Sequence, residues 1–359
     1  MCFIDLYLLT YSTSAYKIFF LFTNVFLQAF GSEVNQIPSS LHGTVDVLME
    51  LLSESRADST VKTYYSGFCR WKNWASIHGI DNSDIFPAKP FYVAIYLSSL
   101  VQTSRTVSPI TSAFYSLQWA HKLIGKPSPT EACIVKNVFE GAKRRLATPV
   151  EKKEPITPEL LSKVYHSIFK DNDLVSQRII CACLIAYSGF LRVSELLHIR
   201  RCDIMFHPCY MSIFIPKSKT DIYRDGNSVV ISRVDSEMCP VKNLEIYLSL
   251  ANIQVDSYEF IFRNIVRFKD HFELRKENKP LSYTRIRELF IDAFQPFVPD
   301  IKKYGLHSLR SGGATMSANL GISDRLFKRH GRWRSETAKD GYIKDSLKDR
   351  LIVSENLGL

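Results

Sequence analysis

The chain has 359 residues, enough for two or three domains at roughly 100–200 residues each. With 46% apolar residues it can bury a sizeable core, which excludes global disorder. The balance of 46 Lys+Arg against 36 Asp+Glu, a formal +10 with a pI near 9.1, argues against an acidic, solvating chain and favours a polyanionic partner. The eight cysteines form no CxxC pair and no metal-ligand spacing, so they read as reduced thiols of an intracellular protein, and no metal or other cofactor is expected.

In chain order, the first segment is "YKIFFLFTNVFLQAF" (16–30), apolar and aromatic-rich but interrupted by Lys17, Thr23, Asn24 and Gln28. A signal peptide, a membrane anchor, a buried helix and an extraneous extension are all open readings. No positive charge precedes Lys17, and the uninterrupted apolar stretch is short of the roughly 20 residues that a membrane span needs. Residues 1–39 are therefore set apart from the functional argument.

From about residue 40 the apolar spacing is helical. "TVDVLMELLSES" repeats at i, i+3, i+4 and i+7. "DSTVKTYYSGFCRWKNWASIHG" follows, with Asp58 or Ser59 expected to cap it and Gly79 to stop it. "AKPFYVAIYLSSLVQ", "VSPITSAFYSLQWAHKLIG" and "EACIVKNVFEGAKRRLA" complete an all-helical domain over 40–147. The charged, proline-bearing segment at 148–157 reads as a linker.

The second domain, 158–359, begins with helices at "PELLSKVYHSIF", "LVSQRIICACLIAYSG" and "RVSELLHI". "YMSIFIP" and "SVVIS", either side of the polar "DIYRDGN", read as an antiparallel hairpin. The rest reads as helical through "YTRIRELFIDAF", "SLRSGGATMSANLG" and "DRLFKRHG", and the tail "IKDSLKDRLIVSENLGL" as one amphipathic helix. The fold class is thus mainly α, with an all-helical domain followed by an α+β domain holding a small antiparallel sheet.

Residues 302–334 carry eight Lys+Arg against one acid, Asp324. Such a run is usually a solvated face. Here His307, His330 and Trp333 are interleaved with the cations, which a solvated face does not require. His307 and Arg310 stand three apart, so a helix puts them on one side. Arginine suits a phosphate because its planar fork donates two hydrogen bonds and keeps its charge. Taken singly, each residue has a bland explanation: Arg192 as a cap paired with Glu195, His307 as a satisfied histidine, Trp333 as core and Tyr342 as a surface aromatic. His198, His207 and His271 take the structural reading.

Taken together, "SGFLRVSELLHIRRCDI" (188–204), "HSLRSGGAT" (307–315), Trp333 and Tyr342 resemble the tyrosine recombinase, or phage integrase, family. The resemblance spans most of 50–350. The family's first arginine maps to Arg192, with Glu195 three residues on. Its His-x-x-Arg box maps to His307 and Arg310, its His-or-Trp position to Trp333 and its nucleophile to Tyr342. Its hairpin lysine maps to Lys219, with Lys217 as the rival. Ser308 stands where Asp is usual, Ser311-Gly312-Gly313 replaces a bulkier segment, and "RHGRW" replaces the common Leu-Gly-His. The wording is most similar to recombinases of eukaryotic mobile elements such as DIRS-like retroelements and Cryptons.

The resemblance implies a helical core-binding domain that clamps double-stranded DNA opposite a catalytic domain. It also implies cleavage and rejoining through a 3′-phosphotyrosine, and a tetramer on paired sites. Such an enzyme would work in the nucleus of a eukaryote or the cytoplasm of a prokaryote, without a metal. Backbone contacts to DNA are expected from Lys62, Arg70, Lys143, Arg144 and Arg145 in the first domain. In the second they are expected from Lys328, Arg329, Arg332 and Arg334, and from His330, which is either such a contact or a packing residue. A DNA-binding protein that no longer cuts and a type IB topoisomerase are the alternatives. Glu195 is expected to orient His307 or an arginine.

Overall fold

The computed structural model describes residues 26–27, 29–149, 151–216 and 226–358. The chain divides into two compact units, Met1–Val150 and Glu151–Leu359. Most of the apolar N-terminal stretch, and both Lys217 and Lys219, lie outside the described residues.

The first unit is helical throughout. After a helical run at 29–36 come His42–Glu54, Asp58–Ile77, the short Asn82–Ile85, Pro90–Thr103, Ser108–Leu123 and Cys133–Arg145. The Asp58–Ile77 helix lies against Ser108–Leu123, burying Phe68, Trp71, Ile110 and Leu117 between them. Gly67 permits this approach: a β-carbon there would stand 2.0 Å from Ser116 Oγ. The helix begins without a side-chain cap, since Ala57 is at the cap position and Asp58 is already helical; the expected Asp58 or Ser59 cap is not made. Asp58 instead places its charge in the first turn, at the positive end of the helix dipole. Gly79 does end the segment, at φ +68. His121 is fully buried, with Nδ1 donating to the Leu117 carbonyl (2.7 Å) and Nε2 accepting from the Ala88 amide (2.8 Å). Phe26 packs with Met49, so the end of the apolar N-terminal stretch contributes a small core of its own. Among the described residues no helix is long and apolar enough to cross a membrane.

The second unit is built around the buried helix Leu174–Ser188, which carries Cys181 and Cys183 in its core as the apolar run requires. The seven described cysteines are free. Helices Pro158–Ile168, Pro240–Leu250, Tyr283–Phe294 and His307–Asn319 pack about Leu174–Ser188. The hairpin forms as β2 (Tyr210–Ile215) against β3 (Asn227–Ser232), in register from Tyr210↔Ser232 to Ile215↔Asn227. Met211, Ile213, Ile215, Val229 and Ile231 point inward, the period-2 pattern of a half-buried sheet. A third strand, β1 (Ile204–Phe206), joins β2, and a separate hairpin pairs β4 (Ile265–Arg267) with β5 (Phe272–Leu274). Three-residue strands carry too little periodicity to be read from sequence.

Part of the expected 148–157 linker is built into this unit. The Glu154 amide donates to the Lys303 carbonyl (2.7 Å), the Ile156 amide to the Ser308 carbonyl (2.9 Å), and Ile156 is fully buried. The unusual Gly312-Gly313 pair explains itself here. A β-carbon on Gly312 would stand 2.1 Å from the Ile156 carbonyl oxygen, and one on Gly313 2.2 Å from that of Tyr187. Only glycine lets the His307–Asn319 helix approach both segments so closely.

Candidate active site

The site starts at the end of the Leu174–Ser188 helix. Phe190 takes a left-handed backbone (φ 46), which reverses the chain and delivers Arg192 to the N-cap of Val193–Leu197. Glu195, three residues on, folds back: its Oε2 accepts from the Arg192 amide (2.9 Å) and its Oε1 from Arg192 Nη1 (2.7 Å). The carboxylate is 3% exposed. Burial would raise its pKa, but the guanidinium of Arg332, the Arg192 amide and the charges of Arg192 and Arg310 outweigh that and hold it below the ordinary range.

Arg310, in the first turn of His307–Asn319, is fully buried. Its Nη1 donates to the Phe190 carbonyl and its Nη2 to the Gly331 carbonyl (2.8 Å), while Glu195 Oε2 stands 3.7 Å away. Burial and the neighbouring Arg192 push its pKa down to about 10. The guanidinium lies 5.0 Å from the Trp333 ring and 4.8 Å from the Tyr342 ring, so it is sandwiched against the face of the would-be nucleophile. Trp333 and Tyr342 are themselves 5.6 Å apart. The indole N–H of Trp333 and the Nε–H of Arg310 are buried with no protein partner. Unpaired buried donors are costly in a folded core.

Tyr342 is held by its surroundings more than by its own hydroxyl. Thr315 Oγ1 donates to the Tyr342 carbonyl (3.3 Å) and accepts from the Lys344 amide (3.2 Å), bracketing the residue on both sides. Lys339, buried at 9% exposure, pairs with Asp324, with Glu336 (2.7 Å) and with Asp340 (3.6 Å), tying the short Glu336–Asp340 helix to Asp324–Gly331. His307 is exposed at the first position of its helix, one turn from Arg310. Ser308 is fully buried, and its hydroxyl accepts from the Gly305 amide (3.1 Å), a turn-closing role that an aspartate could also fill.

The structure brings together Arg192, Glu195, Arg310, Trp333 and Tyr342. Of the two expected roles for Glu195, its carboxylate is engaged by arginines. One expected DNA contact, Arg332, is corrected, and of the two readings of His330 the structure favours packing. Arg332 points inward: Nη2 donates to Glu195 Oε2 (2.9 Å) and the Phe190 carbonyl (3.0 Å), and Nη1 to the carbonyls of Gly189 (3.2 Å) and His330 (2.9 Å). It sits at φ 57, where a side chain costs roughly 1–2 kcal/mol and glycine does not. His330 is a packing residue, edge-on to Phe190 at 4.6 Å and bonded through Nε2 to the Ser188 carbonyl (2.8 Å), with burial lowering its pKa. Arg329 and Arg334 are exposed, and Lys328 pairs with Glu336. Lys62, Arg70, Lys143, Arg144 and Arg145 are exposed on the first unit. Arg70 bonds Ser66 (3.1 Å) and Lys143 pairs with Glu140 (2.8 Å).

Sequence reasoning missed the inward turn of Arg332, the Thr315 bracket and the part played by Gly331. A β-carbon on Gly331 would overlap the Trp333 ring at 1.8 Å, so "HGRW" is a packing device. The available signal was that glycine, placed two residues before a tryptophan.

A helical unit is followed by a mixed unit in which Arg310, fully buried, lies against Trp333 and Tyr342. No family model matches the chain. An integrase/recombinase XerD homologue of Selenomonas ruminantium is 27% identical over 296 residues, covering 82% of this chain and 83% of the relative. The Cre recombinase of Escherichia phage P1 is 25% identical over 312 residues, covering 83% and 88%. Among solved structures, a XerH site-specific recombinase bound to difH substrate superposes with a TM-score of 0.57 at 16% identity over 93% of this chain and 89% of that one. A lambda integrase tetramer on a Holliday junction gives 0.53 at 16% identity over 85% and 77%. The chain is thus similar to tyrosine recombinases over most of its length, and its fold is theirs.

Proposed function

We propose that this chain cleaves and rejoins DNA at specific sites, for a mobile element, with Tyr342 as nucleophile supplied in cis to its own Arg192, Arg310 and Trp333. The observation that carries the reading is the stacking of the Tyr342 ring 4.8 Å from the buried Arg310 guanidinium, beside an indole N–H that no protein group accepts. A tyrosine hydroxyl is weakly nucleophilic at neutral pH, and a phosphodiester repels it. Arg192 and Arg310 neutralise the charge that builds on the non-bridging oxygens, and the Trp333 N–H adds a donor. In the step itself the Tyr342 oxygen bonds to phosphorus, its proton passes to His307, and the bond to the 5′ oxygen breaks. That oxygen takes a proton from Lys219 or its rival Lys217. The phosphotyrosine keeps the bond energy, so a second DNA end can displace the tyrosine without a nucleotide cofactor.

The test uses Tyr342→Phe and the two lysine variants on duplexes with sulfur in place of the bridging 5′ oxygen. Tyr342→Phe is expected to bind DNA and form no SDS-resistant adduct on either substrate. Lys219→Ala is expected to form adduct only on the sulfur substrate, because a thiolate leaves without a proton. Adduct from Tyr342→Phe would remove Tyr342 as the nucleophile. If Lys217→Ala, and not Lys219→Ala, needs the sulfur, the acid is Lys217.

The reading extends to a multimer on paired duplexes. The tail helix Leu347–Glu355 leaves Leu347, Leu351 and Ile352 exposed, with Leu357 just beyond it, and a helix this short is not stable unless something covers it. We assign that cover to a neighbouring copy. Deleting 347–359 should weaken assembly on paired sites and leave single-duplex binding intact, read by native gel shift. Unchanged assembly rules the docking out.

A further inference from the structure

Arg332 sits at a left-handed backbone angle that glycine would adopt without strain. Its side chain is nonetheless buried at 9% exposure and makes four hydrogen bonds, all to the Arg192 turn or to its own segment. The Phe190 carbonyl that it binds is also the acceptor of Arg310 Nη1. The Glu195 oxygen that it binds is also 3.7 Å from Arg310 Nη1. We propose that Arg332 is a positioning residue for strand cleavage, which occupies Glu195 so that Arg310 stays turned toward Tyr342 and the phosphate, and which ties the Gly189-Phe190 turn to the segment leading to the nucleophile. The proposal rests on the recombinase reading given above.

The competition is simple to state. Glu195 is the one buried carboxylate among the described residues of this cluster, and three guanidiniums face it: Arg192, Arg310 and Arg332. Arg192 takes one oxygen. Arg332 and the Arg192 amide share the other. Remove the Arg332 cation and that second oxygen has lost its charged partner, with Arg310 close enough to replace it. An arginine drawn onto a carboxylate has fewer N–H groups left for a phosphate, and a small displacement of a transition-state donor is costly. The cluster also holds the carbonyls of Gly189, Phe190, His330 and Gly331, the aromatic faces of Trp333 and Tyr342, and the His330 imidazole, whose pKa burial and the neighbouring arginines lower, which disfavours it as a replacement cation.

The experiment compares the full chain with Arg332→Gly and Arg332→Lys, using end-labelled duplexes selected for binding from a randomised pool. It reads DNA binding, melting temperature and the rate of SDS-resistant adduct formation against pH. Arg332→Gly is free of backbone strain, so its loss of activity would reflect the side chain. It should bind the same duplexes and form adduct about a hundredfold more slowly. Its acid limb should also move to higher pH: without Arg332, burial raises the Glu195 pKa, and the carboxyl protonates where the parent's is still ionised. Arg332→Lys keeps a cation beside Glu195 and should keep the parent's acid limb while recovering only part of the rate. An Arg332→Gly chain with the parent's rate and limb overturns the inference. So does loss of rate in both variants that follows melting temperature with the acid limb unmoved, which marks a structural role alone. A parent chain that binds DNA and forms no adduct at any pH sinks the recombinase reading, and this inference with it.

Discussion

The two units bury different things. Among the described residues of the first, the buried polar groups are Ser116, His121 and Thr130, and no Lys, Arg, Asp or Glu is among them. In the second, Arg178, Arg201, Arg263, Arg310 and Arg332 are buried together with Glu195 and Lys339. Burying a charge is unfavourable unless it is paired and hydrogen-bonded, so these groups are bound to carbonyls and carboxylates with little freedom left. The first unit keeps its cations on the surface, where they hold charge out to a partner at little cost in stability. The second buries some of its cations, and two of them, Arg310 and Arg332, gather with Arg192 around Glu195. The basic stretch 143–145 is exposed throughout, whereas within 328–334 Arg332 turns inward while Arg329 and Arg334 stay exposed.

The largest effect expected from this contrast comes from removing cations in each unit. Arg310→Ala leaves Glu195 with one guanidinium fewer and the Phe190 and Gly331 carbonyls short of a donor. It should destabilise the second unit by about 3–5 kcal/mol and abolish the adduct. The triple variant Lys143→Ala, Arg144→Ala, Arg145→Ala should shift stability by no more than about 0.5 kcal/mol per site. Its effect should fall on DNA affinity, whose log–log salt dependence should become shallower by about 2–3. Chemical denaturation and salt titration of binding measure both. A triple variant that unfolds, or an Arg310→Ala chain as stable as its parent, would collapse the distinction.

Glycines sharpen it at a smaller scale. Gly141 lies within the Cys133–Arg145 helix with nothing within 4 Å of a β-carbon, so Gly141→Ala should stabilise by about 0.4–1 kcal/mol. Gly312 is also within a helix, but a β-carbon there meets the Ile156 carbonyl at 2.1 Å. Gly312→Ala should destabilise by about 1–3 kcal/mol and lower the adduct yield, since the same helix carries His307 and Arg310. Denaturant midpoints decide it. Equal signs for the two substitutions would mean that the second unit is less tightly packed than its glycines indicate.

Much of the helical architecture was legible because its residues repeat with the period of the element they form. The apolar spacing of 44–55 and 58–79 and the apolar run at 179–187 each point to one structure. So did the Ile- and Phe-rich 210–215 and its partner 228–232, set either side of a polar turn. The short elements were not legible: β1, β4 and β5 have three residues each. Ile156 reads as linker because its neighbours are Pro, Glu and Lys, and it becomes core only because Gly312 opens a slot beside it.

For the site, Arg192, Glu195, His307, Arg310, Trp333 and Tyr342 stood out through the resemblance of their types, order and spacing to the boxes of the tyrosine recombinase family. What the sequence could not determine is the direction in which each cation points. In "RHGRWR" three arginines alternate with a histidine, a glycine and a tryptophan, and composition treats them alike. Tertiary structure separates them: the left-handed turn at Arg332 rotates its side chain inward onto Glu195, 137 positions earlier in the chain, while Arg329 and Arg334 remain at the surface. The physical reason is that a buried carboxylate selects whichever guanidinium the backbone can bring within hydrogen-bond distance. That distance is a property of the folded chain, absent from the local pattern.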